Sequence, residues 1–242
     1  MEIGLILNKT KFRHEFKYYI NYFDYEILKS RIKILMQVDK YSDINGNYQI
    51  RSLYFDDLKN SALFEKQSGV LSRKKYRIRI YNLSENVIKL EKKARVGQFI
   101  YKESVSLNKP QYDEIISCNY DFLRNNKNKL LREFYLDLII NRYKPEVIVD
   151  YTREAFTHKL NNLRVTFDKN LKTGLNSTDI FHNDLPTIDV LEEPKMILEV
   201  KYDHFLPDYI RNAIQISRSQ RYAISKYVIC KKFTKINNWE DN

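Results

Sequence analysis

Glycine, proline and cysteine are all scarce in this 242-residue chain, numbering five, five and two. So little glycine and proline excludes collagen-like and low-complexity architectures. No glycine-rich phosphate loop, nucleophile elbow or H-E-x-x-H helix is present either. The two cysteines, Cys118 and Cys230, stand far apart without ligand spacing, and each lies among apolar neighbours. They are expected as small core residues in a reducing compartment. The four histidines, His14, His158, His182 and His204, also lack ligand spacing and are expected to be structural or at the surface. Long apolar runs are missing. The run from Ile3 to Leu7 is too short for a secretory signal, and the basic stretch follows it instead of preceding it. Nothing approaches the roughly 20 residues needed to span a bilayer. A cytoplasmic location is the expectation.

Positive charge and aromatic residues are abundant. Forty-two Lys and Arg stand against 31 Asp and Glu, a formal charge of +11. Such an excess calls for an anionic partner: nucleic acid, a phospholipid surface or a soluble polyanion. With 19 Tyr and 13 Phe the composition favours strands and supplies a sizeable core. No repeat, linker or composition break divides the chain, so one domain over residues 1–242 is expected, with its core at about 11–232.

Alternation is the recurring local pattern. Lys11–Ile20 puts Arg13, Glu15, Lys17 and Tyr19 on one face of a strand and Phe12, His14, Phe16 and Tyr18 on the other. Asp24–Val38 has helical spacing, with Ile27, Leu28, Ile34 and Leu35 on one side and Asp24 placed to cap it. Further strands are expected at Ile50–Asp56, Lys74–Tyr81, Val87–Ala94 and Phe99–Leu107. The last ones fall at Glu146–Arg153, Leu163–Asp168 and Lys195–Tyr202. Lys109–Cys118, with Pro110 early, and Asn128–Arg142 are expected as helices. So is the stretch from Pro207 that carries Tyr209, Ala213, Ile214 and Ile216. Asn170–Pro194 is polar and expected as a loop, and the tail after Trp239 as frayed. About eight strands with a few helices define an α+β or closed-barrel architecture.

The polar faces carry the chemistry. They hold Arg13, Glu15 and Lys17; Lys75, Arg77 and Arg79; Lys89, Glu91 and Lys93; Arg164, Thr166 and Asp168; Glu199 and Lys201. Arg153 closes another strand. Like charges stacked on neighbouring strands repel unless something compensates them, and a multiply charged anion would. Guanidinium forks grip phosphate oxygens, while lysine supplies a compact point charge. The acids Glu15, Glu91, Asp168 and Glu199 are the hard oxygen ligands that Mg²⁺ or Mn²⁺ prefers. The plainer reading is that a charged alternate face is simply the solvated side of a sheet. Tyrosines interleaved with basic residues also suit a single-strand nucleic-acid binder, but in strands aromatics are ordinarily core. Glu192-Glu193 before Pro194 is expected as a solvated loop.

Eight blocks in order resemble the VTC-type polyphosphate polymerase domain of the triphosphate tunnel metalloenzymes, relatives of the CYTH phosphatases. They begin with Arg13-His14-Glu15-Phe16-Lys17-Tyr18, Ser52-Leu53-Tyr54-Phe55-Asp56 and Arg73-Lys74-Lys75-Tyr76-Arg77-Ile78-Arg79-Ile80-Tyr81. Leu90-Glu91-Lys92-Lys93, Tyr151-Thr152-Arg153-Glu154-Ala155-Phe156 and Leu163-Arg164-Val165-Thr166-Phe167-Asp168 follow. Ile197-Leu198-Glu199-Val200-Lys201 and Ser225-Lys226-Tyr227 close the series. The resemblance implies an α+β fold built on an antiparallel eight-stranded β-barrel, or tunnel, with flanking helices.

It also implies a metal-dependent polyphosphate polymerase, which passes the γ-phosphoryl group of ATP to a growing chain and releases ADP. By this resemblance Lys17, Arg77, Arg79, Lys93, Arg153, Arg164 and Lys226 contact the phosphate chain, with Arg13, Lys75 and Lys201 as further substrate-binding positions. Glu199 is the principal ligand for Mn²⁺ or Mg²⁺, and Glu15 and Glu91 are acidic positions for metal or water. One departure stands out. The family pattern can carry a second lysine three residues before the Ser-Lys lysine, where this chain has Ala223, with Arg221 the nearest basic substitute. Two alternatives stay open: a tunnel-type triphosphatase for inorganic triphosphate or a nucleotide, and a non-catalytic polyanion-binding module. ATP and polyphosphate or triphosphate are the expected partners, and nucleic acid is not. Export of product would need a separate membrane partner at the inner face of the membrane.

Overall fold

Residues 13–97, 99–174, 177–192, 195–215 and 220–237 are described by a computed structural model. The run from Ile3 to Leu7, Glu193, Pro194, Ile216, the tail after Trp239 and the side chain of Arg13 lie outside the described residues. The chain folds into two compact units, interleaved in sequence. One comprises Met1–Tyr48, Tyr151–Leu171 and Leu191–Ile224; the other comprises Gln49–Asp150, Lys172–Val190 and Ser225–Asn242.

In the first unit the strands are β1 (Arg13–Ile20), the short β2 (Gln37–Val38) and β10 (Met196–Asp203), joined by parts of β7 (Lys144–His158) and β8 (Leu163–Gly174). Their order is β1-β10-β8-β7, and β2 adds to β7. One face packs Leu163, Val165, Phe167, Leu198 and Val200 against Tyr25, Leu28 and Ile32 of helix α1 (Tyr22–Leu35). Those helical residues sit three and four positions apart, the spacing of one face. Burying Leu28 fully contributes about 2–3 kcal/mol. The helix begins earlier than its sequence suggests, because Asn21 is the cap: its side chain accepts from the Asp24 amide at 2.8 Å. Asp24 instead lies in the first turn, where its charge suits the helix dipole.

The second unit contains β3 (Asn47–Asp56), β4 (Ser72–Tyr81), β5 (Ser84–Val96) and β6 (Phe99–Leu107), extended by β7 in the order β7-β3-β4-β5-β6. β4 and β5 are joined by a two-residue turn in which Asn82 and Leu83 both have positive φ, 50° and 54°. That conformation matches the strand twist, and asparagine adopts it readily while leucine does not. Leu53, Phe55, Tyr76, Ile78 and Leu90 bury one face against Tyr112 and Ile115 of α3 (Lys109–Ile116) and Leu130, Leu131 and Phe134 of α5 (Lys129–Ile139). Asn108 and Gln111 form a reciprocal capping box at the start of α3. The remaining helices of this unit are α2 (Ser61–Gln67), α4 (Asp121–Arg124) and α7 (Lys226–Asn237); α6 (Asp208–Ala213) belongs to the first unit.

The architecture is therefore the expected α+β arrangement of antiparallel strands with flanking helices. Each unit's strand order is an open path, so the word barrel describes it only loosely. Three local expectations change. The Asn170–Pro194 stretch holds the end of β8 and the short β9 (Thr187–Asp189), which pair with each other. Asn170, at φ 51°, interrupts the alternation that would have shown β8 continuing. The helix expected from Pro207 is only the short α6. Cys118 is exposed, because it follows α3 at φ 60° while Ile115 takes the inward position; Cys230 is buried as expected.

Candidate anion- and metal-binding faces

The face of the first unit opposite α1 is charged, and register dictates what meets there. Lys17 stands across from Glu199, which stands across from Thr166; Glu15 stands across from Lys201, which faces Arg164. Lys17 Nζ lies 2.7 Å from Glu15 and 3.3 Å from Glu199, and donates to the Ile224 carbonyl at 3.2 Å. Glu199 also receives Lys201 at 3.0 Å and Arg153 at 3.5 Å. Arg153 grips Asp168 with a two-pronged bond of 2.6 and 2.8 Å. Arg164 pairs with Asp39 at 2.6 Å and donates to the Tyr48 hydroxyl.

These contacts tune the titrations. Burial works against the Lys17 charge, but Glu199 and Glu15 outweigh it, so the ammonium holds its proton well above the ordinary lysine range. Lys201 goes the other way. Burial, with Arg153 and Lys17 nearby, overrides Glu199 and Glu15 and pushes it down to about 8. Arg153 is buried too, yet Asp168 keeps its charge secure.

The second unit also presents a charged face, of different make. Lys75, Lys93 and Lys102 stand directly abreast on β4, β5 and β6. In the next row Tyr54, Arg77, Glu91 and Ser104 align, and beyond them Ser52, Arg79, Lys89 and Ser106. Arg77 donates to Glu91 at 2.6 Å and to the Tyr54 hydroxyl at 2.8 Å, while Lys102 takes the other oxygen of Glu91. Arg79 Nε donates to Ser52 at 3.1 Å. Burial alone would raise the Glu91 carboxyl, but Arg77, Arg79 and Lys102 hold it far below the carboxylate range. Tyr54 responds to the same field: burial opposes ionisation, yet Arg77, Arg79 and Lys226 bring its hydroxyl below the usual phenol value. Lys75 lies 5.8 Å from the ring centres of both Tyr54 and Tyr227.

The expected site residues therefore fall into two groups. Glu15, Lys17, Arg153, Arg164, Glu199 and Lys201 gather in the first unit, and Lys75, Arg77, Arg79, Glu91, Lys93 and Lys226 belong to the second. Arg221 is the basic residue nearest to Ala223 in the sequence. It stacks over Phe16 at 4.0 Å, on the opposite face of β1 from Lys17, because its bridge to Tyr18 fixes that side. Sequence reasoning missed Lys102, Tyr48 and Asp39. Alternation of Lys102, Ser104 and Ser106 along β6 could have found the first; Asp39 sits in an irregular stretch with no such signal.

Glu15 and Glu199 are hard oxygen donors of the kind a divalent cation would take, and in this structure they face lysine and arginine groups. Glu15 and Glu199 share one ammonium, so two hard carboxylates converge. Among the described residues no cluster of three or more His, Cys, Asp and Glu could hold a metal by itself. Mg²⁺ and Mn²⁺ ordinarily bind proteins through one or two carboxylates and complete their shells with substrate phosphates and water. Both oxygens of Glu91 are engaged by cations.

The chain belongs to the VTC domain family, whose model matches residues 12–235. Similar solved structures include the Hippeastrum protein HpAC1, described as an adenylyl cyclase candidate with a dominant triphosphatase activity. It is 12% identical at a TM-score of 0.55, over 92% of this chain and 96% of that one. An adenylate cyclase candidate from Vibrio parahaemolyticus is 12% identical at a TM-score of 0.52, over 91% and 98% of the two chains. At such identity the likeness is one of fold. No curated protein matches the sequence. No helix among the described residues is long and apolar enough to cross a membrane.

Proposed function

We propose that the protein is a metal-dependent polyphosphate polymerase that transfers the γ-phosphoryl group of ATP to a growing phosphate chain and releases ADP. The observation that carries this reading is the row Lys75-Lys93-Lys102 beside Arg77 and Arg79. Three lysines abreast on neighbouring strands, Lys102 among them paired with Glu91, concentrate positive charge along one line, which suits a linear polyanion. Phosphoryl transfer asks little covalent work of a protein. It needs the chain held in line and positive charge on the equatorial oxygens and the leaving group. Strand-borne arginines already fixed by Glu91, Tyr54 and Ser52 supply both with little reorganisation. Held by Glu199 and Glu15, Mn²⁺ or Mg²⁺ would act as a Lewis acid on phosphate oxygens. Membership of the VTC family agrees with this reading.

A tunnel-type triphosphatase is the second reading, favoured by the half-buried Glu15 carboxylate beside Lys17, which could orient a water. Incubation with ATP and Mn²⁺, with products separated by size, decides between them. The polymerase yields a ladder of polyphosphate and ADP, whereas the triphosphatase yields orthophosphate without chains. Tight polyphosphate binding that survives a chelator, with no turnover, would overturn both in favour of a binding module.

A further inference from the structure

Thr166 Oγ1 and Arg164 Nε are buried and have no hydrogen-bond partner among the described residues. They occupy alternate positions of β8, so they share the charged face of the first unit with Asp168, and Thr166 stands directly across from Glu199. Thr166 is 2% exposed. An unpaired buried hydroxyl or N–H is costly, and native interiors hold few. Nothing in the packing asks for the hydroxyl, since valine has the same shape. The apolar work of this strand is done by Val165 and Phe167 on the other face.

The surrounding groups are already committed. Arg153 grips Asp168, Glu199 receives three cations, and the far end of Arg164 is held by Asp39 and Tyr48. Arg164 Nε is thus fixed in place with its hydrogen unmatched. Nε can only donate and the threonine hydroxyl can donate, so one group satisfies both: an oxygen rich in lone pairs. Lys201 lies across from Arg164 and Lys17 beyond Glu199, so cations stand beside the position together with the Glu199 and Asp168 carboxylates they neutralise. We propose that Thr166 Oγ1 and Arg164 Nε together seat one non-bridging phosphoryl oxygen of the substrate, making Thr166 a substrate-contacting residue next to Glu199. This inference rests on the phosphate-chain reading above.

The test compares the full-length protein with Thr166→Val and Thr166→Ser. Calorimetric titration with inorganic tripolyphosphate and Mn²⁺ is paired with thermal melting of the ligand-free proteins. Thr166→Val should bind about tenfold more weakly, the loss expected for one hydrogen bond to a charged group. Thr166→Ser should stay within about threefold of the parent, because it keeps the donor. Ligand-free Thr166→Val should melt at or above the parent temperature, since an unmatched buried group is gone. Parent-like binding by Thr166→Val overturns the inference. So does a fall in its ligand-free melting temperature, which would make the hydroxyl part of the fold, or a failure of serine to preserve affinity. If the parent itself ignores tripolyphosphate, the phosphate-chain reading fails and this inference goes with it.

Discussion

The two charged faces look alike in sequence and differ in charge balance. In the first unit, Lys17, Arg153, Arg164 and Lys201 meet Glu15, Asp39, Asp168 and Glu199, cation against carboxylate throughout. In the second, Lys75, Arg77, Arg79, Lys89, Lys93 and Lys102 surround Glu91. Asp56, at the end of β3, is tied to Tyr227 and to the amides of Asp57 and Ala62. Register makes the difference. Lys17 falls opposite an acid, whereas Lys93 falls between two lysines. A balanced face suits a metal shared with phosphate; a basic one suits the phosphate chain itself.

The sharpest way to break this contrast is to delete one lysine from each face. Lys17→Met should destabilise the ligand-free protein by about 1–2 kcal/mol, because Glu15 and Glu199 lose their shared cation while Glu199 keeps Lys201 and Arg153; denaturant titration reads it. Glu199→Gln should cut product formation from ATP on the order of a hundredfold, as for loss of one charge-stabilising contact. A polymerase indifferent to that change would remove the balanced face from the chemistry.

Lys201 gives a pH handle. Its ammonium is lost as pH rises through about 8, so tripolyphosphate affinity should fall across that range. Lys201→Arg should abolish the fall, and titrations from pH 7 to 9.5 would show it. Stability has the opposite sign. Between about 8 and the ordinary lysine value the unfolded chain binds more protons than the folded one, so folding stability gains a contribution as pH rises. Lys17, held above the ordinary range, loses its contribution only at still higher pH.

The smallest effect should be the most telling. Lys93→Met should weaken tripolyphosphate binding by about threefold in calorimetric titration, because the row loses one of its three cations. Unchanged affinity would take the lysine row out of binding.

Much of the sheet was legible, because alternation of period two survives wherever one face is apolar. Phe99–Leu107 was bounded correctly for that reason. Helix starts were less so: Asn21 and Asp24 are both good caps, and only the observed hydrogen bond chooses between them. The short helices α2 and α4 have too few turns to show a period. At the candidate site, residue types could be read but pairings could not. Nothing local to Glu91 says that Arg77 and Lys102 would take its two oxygens, since that depends on the register of three strands. Arg221 illustrates the same limit, being turned toward Phe16 by its bridge to Tyr18.

Strands β3, β7 and β8 each run through both units, and the chain enters each unit three times. No single cut can therefore release either half whole. Truncation or shuffling at one point would damage both together.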